Sequence, residues 1–379
     1  MTFKESILYV LLWPYYHAKF RFVIDYGDFD KDRIDPYILL ANHASLHDAF
    51  YMSILIKRKY PFPVVNAFIY QNRLIRFLLT KIVHSVAKRK GQSDIATVKG
   101  MLDLIRNKKR SVLLFPEGNS SYFGKESPIP LSTAKLLKVL KVDCILAKIS
   151  GGYLAAPRWG RPVKKGLIDV KFSTLYKAEE LKDLAAENIY ERLCEVLPFN
   201  DYDWNRTRKQ TYDLRHRAEG LESFIYVCPV CHGHQCLHTR KNRVLCRHCG
   251  EIAAFDEYGF LQGLPFDNLI EWDKLQKAEL PRITSQTLST TGKFHRVDFA
   301  KSLGKNLGMV EATIDQGVMN VRGLKFAKEF QLAEMSGIVL TKKRDLSFDY
   351  EDETYYIAAK DPMLFLDAIT HIKGGLIHG

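Results

Sequence analysis

No apolar run in this 379-residue chain is long enough to cross a bilayer. A spanning helix needs about 20 apolar residues, and the best candidate, Ile7 to Tyr16, falls well short and contains Pro14. The same stretch lacks the small-residue cleavage site of a secretory signal, so neither a span nor an export signal is expected. Cysteine is sparse as well, with seven in the chain, five of them between Cys228 and Cys249. That distribution excludes a disulfide framework and points to a metal site in a reducing, intracellular compartment. Acidic residues are outnumbered, 43 against 56 Lys and Arg, leaving a net charge of +13. The excess implies an acidic partner, whether nucleic acid, an anionic membrane surface or a charged small molecule, without choosing among them. No internal repeat is visible. At 46% hydrophobic residues the chain has the composition of a folded protein of two or three domains.

The N-terminal stretch combines Trp13 and several tyrosines with Lys4, His17, Lys19 and Arg21. Rings that bridge lipid and water, beside cations that meet anionic headgroups, suit a segment lying in a membrane interface. The plainer reading is a helix packed on its own domain.

The first candidate for chemistry is "LLANHASLHDAF", Leu39 to Phe50. Tyr37 to Ala41 has the length of a buried strand, and "NHAS" breaks it with small polar residues before the pattern turns helical. His43 and Asp48 would diverge on a continuous helix, but a turn at the helix start brings them together. An aspartate that holds one ring nitrogen leaves the other to take a proton from a hydroxyl. In a chain with 12 histidines such a spacing also arises by chance, so the pair needs support from elsewhere. His47 and His84 are read as packing or surface residues.

That support comes from "KKRSVLLFPEGNSS". Ser111 to Phe115 reads as a second short buried strand, and Pro116, Gly118 and Asn119 force a turn that leaves Glu117 at its tip. In an alternating strand and helix pattern the two tips face each other across a cleft at the sheet edge.

Taken together, "NHASLHD" and "FPEG" resemble the two most diagnostic blocks of the glycerolipid acyltransferases, the PlsC-type enzymes that acylate lysophosphatidic acid and related acceptors. The later "ILAKISGGYLAAPRW", with its Gly151-Gly152 turn and Pro157, fits the same order, and the resemblance covers roughly residues 1 to 215. It implies that His43 is the general base and Asp48 its orienting carboxylate, and that Glu117 and Gly118 shape the acceptor pocket. It also implies an upstream basic residue for the acceptor, which Lys88 or Arg89 of "SVAKRKG" supplies; the alternative is a solvated basic turn. One departure stands out: many members carry arginine two places after the glycine, where this chain has Ser120.

"YVCPVCHGHQCLHTRKNRVLCRHCGEI" contains Cys-x-x-Cys twice, at Cys228 and Cys231 and at Cys246 and Cys249. Two such knuckles joined by a hairpin resemble a zinc ribbon, and four cysteine ligands make a closed site whose role is structural. Beyond it, Phe266 to Leu280 reads as a helix and "PRITSQTLSTTGK" as an exposed polar connection. Alternating segments then give a series of strands, and "DPMLFLDAITHIKGG" closes as a helix. That order is similar to pleckstrin-homology-like domains.

The expected architecture is thus an α/β acyltransferase domain (1–215), with a mixed sheet flanked by helices. A small zinc ribbon (216–264) and an α+β barrel-like domain with its linker helix (265–379) follow. The expected activity is transfer of a fatty acyl group from acyl-CoA or acyl-carrier protein to a lysophospholipid hydroxyl. The site would be the cytoplasmic face of a membrane, with anionic lipid as partner, zinc as structural metal and nucleic acid not expected. The rival readings are a non-catalytic lipid- or nucleic-acid-binding scaffold and an acyltransferase with a different lipid acceptor.

Overall fold

The computed structural model describes residues 3–56, 60–71, 73–81, 83–88, 95–162, 165–213, 215–298 and 303–378. It divides into two units, the second being residues 214–379 with the short stretch Ala67–Arg73.

Among the described residues the first unit has seven strands: β1 (Phe20–Asp25), β2 (Tyr37–Ala41), β3 (Phe62–Asn66), β4 (Val86–Lys88), β5 (Val112–Leu114), β6 (Asp143–Ser150) and β7 (Gly166–Tyr176). They form one sheet in the order β1-β7-β6-β2-β5-β3-β4. β6 and β7 pair antiparallel and every other neighbouring pair is parallel. The accompanying helices are α1 (Phe3–Lys19), α2 (Asp48–Leu55), α3 (Arg73–Lys81), α4 (Ile95–Leu102), α5 (Ser132–Leu140), α6 (Gly152–Ala155), α7 (Glu180–Asp183), α8 (Ala186–Val196) and α9 (Asp201–Arg208). The region is a mixed sheet with helices, as the sequence implied.

A parallel strand covered on both faces reads as an unbroken apolar run, and β2 and β5 obey that rule: every residue in both is buried. Ile38, Leu40, Val112 and Leu114 pack with Met101, Leu104, Leu137 and Leu193 in one core. Burial of each such side chain stabilises the fold by about 1.5–3 kcal/mol before chain entropy is counted. Because β2 and β5 are adjacent and parallel, the polar residues that follow them emerge together at one end of the sheet.

The second unit holds a small antiparallel sheet of β8 (Leu237–Arg240), β9 (Arg243–Cys246), β10 (Gly250–Phe255) and β11 (Leu261–Gln262), in the order β11-β10-β9-β8. Helices α10 (Leu269–Ala278) and α11 (Leu280–Thr284) follow. The helix expected from Phe266 starts at Leu269 because the Asn268 side chain caps it, accepting from Glu271 N at 3.0 Å. The buried Trp272 donates from Nε1 to the Val227 carbonyl at 2.9 Å, and Gln276 accepts from Tyr226 N at 3.1 Å, so α10 anchors the chain entering the cysteine segment.

The antiparallel sheet that completes the unit is β12 (Leu288–Asp298), β13 (Leu303–Asp315), β14 (Val318–Gly323), β15 (Phe326–Gln331), β16 (Ser336–Thr341), β17 (Asp345–Tyr350) and β18 (Glu353–Ala359). Its order is β15-β14-β13-β12-β18-β17-β16, and α12 (Pro362–His378) follows. Phe294, Phe330, Phe348 and Tyr355 form its aromatic core, with Phe294 and Tyr355 stacked at 5.5 Å. The polar stretch "PRITSQTLSTTGK" is not an exposed connection: it forms most of α11 and the first half of β12. Leu288 and Thr290 are buried there. Alternation with period two is the strand signal, and threonine and serine on the outward face made it look like a linker.

Candidate active site and cysteine cluster

The site begins with strand register. Ile38 pairs with Val112 and Leu40 with Leu114; the same offset, continued past the strand ends, sets His43 level with Glu117. The His43 backbone N–H donates to Glu117 Oε1 at 2.8 Å. Glu117 Oε2 accepts from Ser127 N at 2.9 Å, so one buried carboxylate clamps two loops. Ser121 N donates to the His43 carbonyl at 2.8 Å and closes the second link between the tips.

The turn after β2 brings His43 and Asp48 together. Asp48 opens α2, its backbone N–H donates to the Ser45 carbonyl at 3.2 Å, and His43 Nδ1 lies 2.9 Å from Asp48 Oδ2. The same oxygen accepts from Ser45 N at 2.8 Å. The imidazole stacks on the Phe115 ring, centroids 4.1 Å apart, which fixes its plane. Asp48 is fully buried, whereas the His43 side chain keeps 17% of its surface exposed, enough to meet a substrate.

Burial dominates the electrostatics. It raises Asp48 well above the usual carboxylate range, against the opposing amides of Ser45 and Ala44. Glu117 is pushed up to about 7 by burial, opposed by the His43 and Ser127 amides. Asp201, which accepts from Gly151 N at 2.9 Å and Tyr153 N at 2.7 Å, is also raised by burial to about 7.

Two glycines serve the site differently. Gly118 has φ +70° in the turn after β5, and among the described residues no atom lies within 4 Å of where a Cβ would stand. The space beside the turn is open. At Gly152 a Cβ would stand 3.0 Å from Ala44 Cβ and 3.6 Å from Asp48 Oδ1, so α6 presses directly on the His43–Asp48 turn.

Lys88 ends β4 at the same end of the sheet, paired with Asn66. Two strand spacings, about 10 Å, separate β4 from β5. Arg89 lies outside the described residues. His47, set aside in the sequence, has a place: the Tyr16 hydroxyl lies 3.1 Å from its Nδ1, hooking α1 to the start of α2. A second residue the sequence did not mark is Arg158, buried beside Ser120 with Nη1 donating to Ser120 Oγ at 3.2 Å. Its only sequence signal is a charge after Pro157 in an otherwise apolar segment.

In the second unit the sulfurs of Cys228, Cys231, Cys246 and Cys249 all lie within 4.8 Å of one another, a set able to hold a metal ion. Four thiolates about 2.3 Å from a tetrahedral zinc stand about 3.8 Å apart, and Cys231 and Cys246 are separated by 3.8 Å. The hairpin between the pairs is β8 and β9. Cys236 Sγ adds a fifth sulfur, 3.5 Å from that of Cys246.

Residues 26–170, which contain His43, Asp48, Glu117 and Arg158, match the family model described as Acyltransferase. No curated protein matches the chain. Among solved structures, the chain is similar to the 1-acyl-sn-glycerophosphate (LPA) acyltransferase PlsC from Thermotoga maritima. The identity is 14%, over 54% of this chain and 79% of that one, with a TM-score of 0.43.

Proposed function

We propose that the chain is a membrane-associated O-acyltransferase that moves a fatty acyl group from an acyl thioester, acyl-CoA or acyl-carrier protein, to the hydroxyl of a lysophospholipid such as 1-acylglycerol-3-phosphate. The observation that carries this reading is the 2.9 Å contact of His43 Nδ1 with Asp48, set at one end of the sheet inside the acyltransferase-matching segment. With Nδ1 committed to the carboxylate, Nε2 is the nitrogen that accepts the acceptor's hydroxyl proton. The oxygen attacks the thioester carbonyl to give a tetrahedral intermediate. Collapse breaks the C–S bond, and the imidazolium returns its proton to the leaving thiolate. Asp48 stabilises the imidazolium between the two steps. Glu117 acts in this scheme by holding the His43 backbone, and the open space at Gly118 admits the acceptor.

The membrane association rests on α1. It exposes Val10, Trp13 and Tyr15, while its buried Tyr16 reaches His47 beside the dyad. Exposed apolar and aromatic side chains on a helix tethered to the catalytic turn suit an enzyme whose acceptor lies in the bilayer surface. For the second unit the proposal is one structural zinc on the four cysteines, and a pleckstrin-homology-like role for the antiparallel sheet and α12 in holding lipid or a partner.

The test is mass-spectrometric detection of acyl transfer to a panel of lysolipids on anionic vesicles, with both donor types. His43→Ala, with its fold checked by circular dichroism, is expected to lower transfer by roughly 100-fold or more. If the wild-type protein binds the vesicles but transfers nothing, the non-catalytic scaffold is the better account.

A further inference from the structure

We propose, resting on the acyltransferase reading above, that Asp201 is the positioning residue of the His43 and Asp48 pair. It acts through α6 and through the loop after Glu117, and holds the imidazole in the orientation and tautomer that transfer requires.

The placement is built by α9. The Asn200 side chain caps that helix, accepting from Tyr202 N at 3.0 Å and Asp203 N at 3.2 Å. Asp201 is therefore not needed as a cap for its own helix, and its carboxylate turns to the neighbouring one. Oδ1 accepts from Gly151 N at 2.9 Å, while Oδ2 accepts from Tyr153 N at 2.7 Å and Leu154 N at 3.3 Å. Both oxygens of a fully buried residue are thus committed to the start of α6. Trp204 of α9 closes the same contact: a Cβ on Gly151 would stand 2.8 Å from its ring.

What α6 touches next is the dyad. A Cβ on Gly152 would stand 3.0 Å from Ala44 Cβ and 3.6 Å from Asp48 Oδ1. Just past the end of α6, Ala156 O accepts from Ser45 Oγ at 3.0 Å, and Ser45 N donates to the Asp48 oxygen that meets His43 Nδ1. The backbone of Asp201 serves the other side. Its N–H donates to Gly124 O at 3.0 Å, Gly124 N donates to Ser121 Oγ at 2.9 Å, and Ser121 N donates to the His43 carbonyl. One residue therefore braces Asp48 through its side chain and His43 through its backbone. Charge-assisted bonds from fixed amides in dry surroundings make that brace stiff. A misplacement of about 1 Å at a reacting group costs roughly 100-fold in rate, so a residue that never meets the substrate can still set it. Asparagine at this position keeps the volume, but offers one acceptor oxygen where two are used and sets its NH2 against an amide N–H.

The experiment compares the wild type with Asp201→Asn, Gly152→Ala and Asp203→Asn near pH 8, above the value of about 7 to which burial raises the Asp201 carboxyl. Transfer from acyl-CoA to 1-acylglycerol 3-phosphate gives kcat and KM per folded protein. Nuclear magnetic resonance of protein labelled at the histidine nitrogens reads the His43 tautomer, its signals assigned by their loss in His43→Ala. For Asp201→Asn the expected result is a fall in kcat of about 10- to 100-fold, an unchanged KM for the acceptor, and His43 signals displaced from the Nδ1–H tautomer. Gly152→Ala, which pushes on the same turn from within α6, is expected to move kcat and the signals in the same direction. Asp203→Asn, on the same helix but bonded to the Asn200 cap, is expected to move neither. A lowered melting temperature for Asp201→Asn, with kcat and the His43 signals at wild-type values, would make Asp201 a structural tie and overturn the proposal. Should Asp201→Asn fail to fold, Gly152→Ala decides, and unmoved His43 signals there would overturn it too. If the wild type transfers nothing while the signals still move in Asp201→Asn, the positioning role stands and the acyltransferase reading falls.

Discussion

Asp48 holds the His43 ring and the Ser45 amide through one oxygen, so Asp48→Asn tests charge more than architecture. The variant keeps an acceptor for the amide but removes the carboxylate that, in the proposed mechanism, stabilises the imidazolium. Transfer is expected to fall roughly 10³-fold or more, with little change in melting temperature. The raised carboxyls give a pH signature. In the folded protein Glu117 and Asp201 hold their protons up to about 7, against ordinary values of 4.5 and 3.8. The unfolded chain releases those protons first, so folding stability falls as pH rises from about 4 to about 7 and levels off above. Glu117 accounts for at most about 3 kcal/mol of this. Urea melts of Glu117→Gln between pH 5 and 7.5 are expected to show a shallower decline than the wild type; parallel slopes would remove Glu117 from the account.

α6 and its glycines decide how tightly the dyad is packed. Gly151 has φ +78°, and a Cβ there would stand 2.4 Å from the Leu167 carbonyl oxygen of β7. Gly151→Ala meets backbone it cannot displace and adds the left-handed penalty of about 1–2 kcal/mol. A large loss of stability in denaturant melts is expected. Gly118→Ala shares the left-handed penalty but meets open space. It is expected to remain folded and to raise KM for the acceptor, a split that kinetics on the purified variant reads directly. The β5 tip was legible because Pro116 and Gly118 punctuate an apolar run. The start of β12 was misread because its outward serines and threonines resemble a connection, and its inward residues declare themselves only when β13 and β18 pair with it.

For the whole molecule, the metal and the charge are the testable features. Metal analysis of untagged protein is expected to give about one zinc per chain. Chelation is then expected to raise hydrogen exchange across residues 226–255, since a structural metal contributes folding free energy where its ligands lie. Absence of metal in reduced, folded protein would refute the zinc assignment. With a net charge of +13, the proposed binding to anionic vesicles is expected to be salt-sensitive. Trp13→Ala is expected to weaken the part that persists at high salt, measured by vesicle sedimentation.

Local pattern was enough for several parts of the molecule. The apolar strands β2 and β5, the punctuating residues after them, the paired Cys-x-x-Cys motifs and the closing helix are all written in short stretches, because strand burial, turn geometry and knuckle spacing act over a few residues. Even the convergence of His43 and Asp48 needed only a turn. Arg158 was different: it meets Ser120 at a separation of 38 residues, through the return of the chain along β6 and α6. Glu117 was seen as a strand tip, but its hold on the His43 amide across 74 residues depends on which strands pair and in what register. Those contacts arise from packing around the shared core, and no short window of residues encodes them.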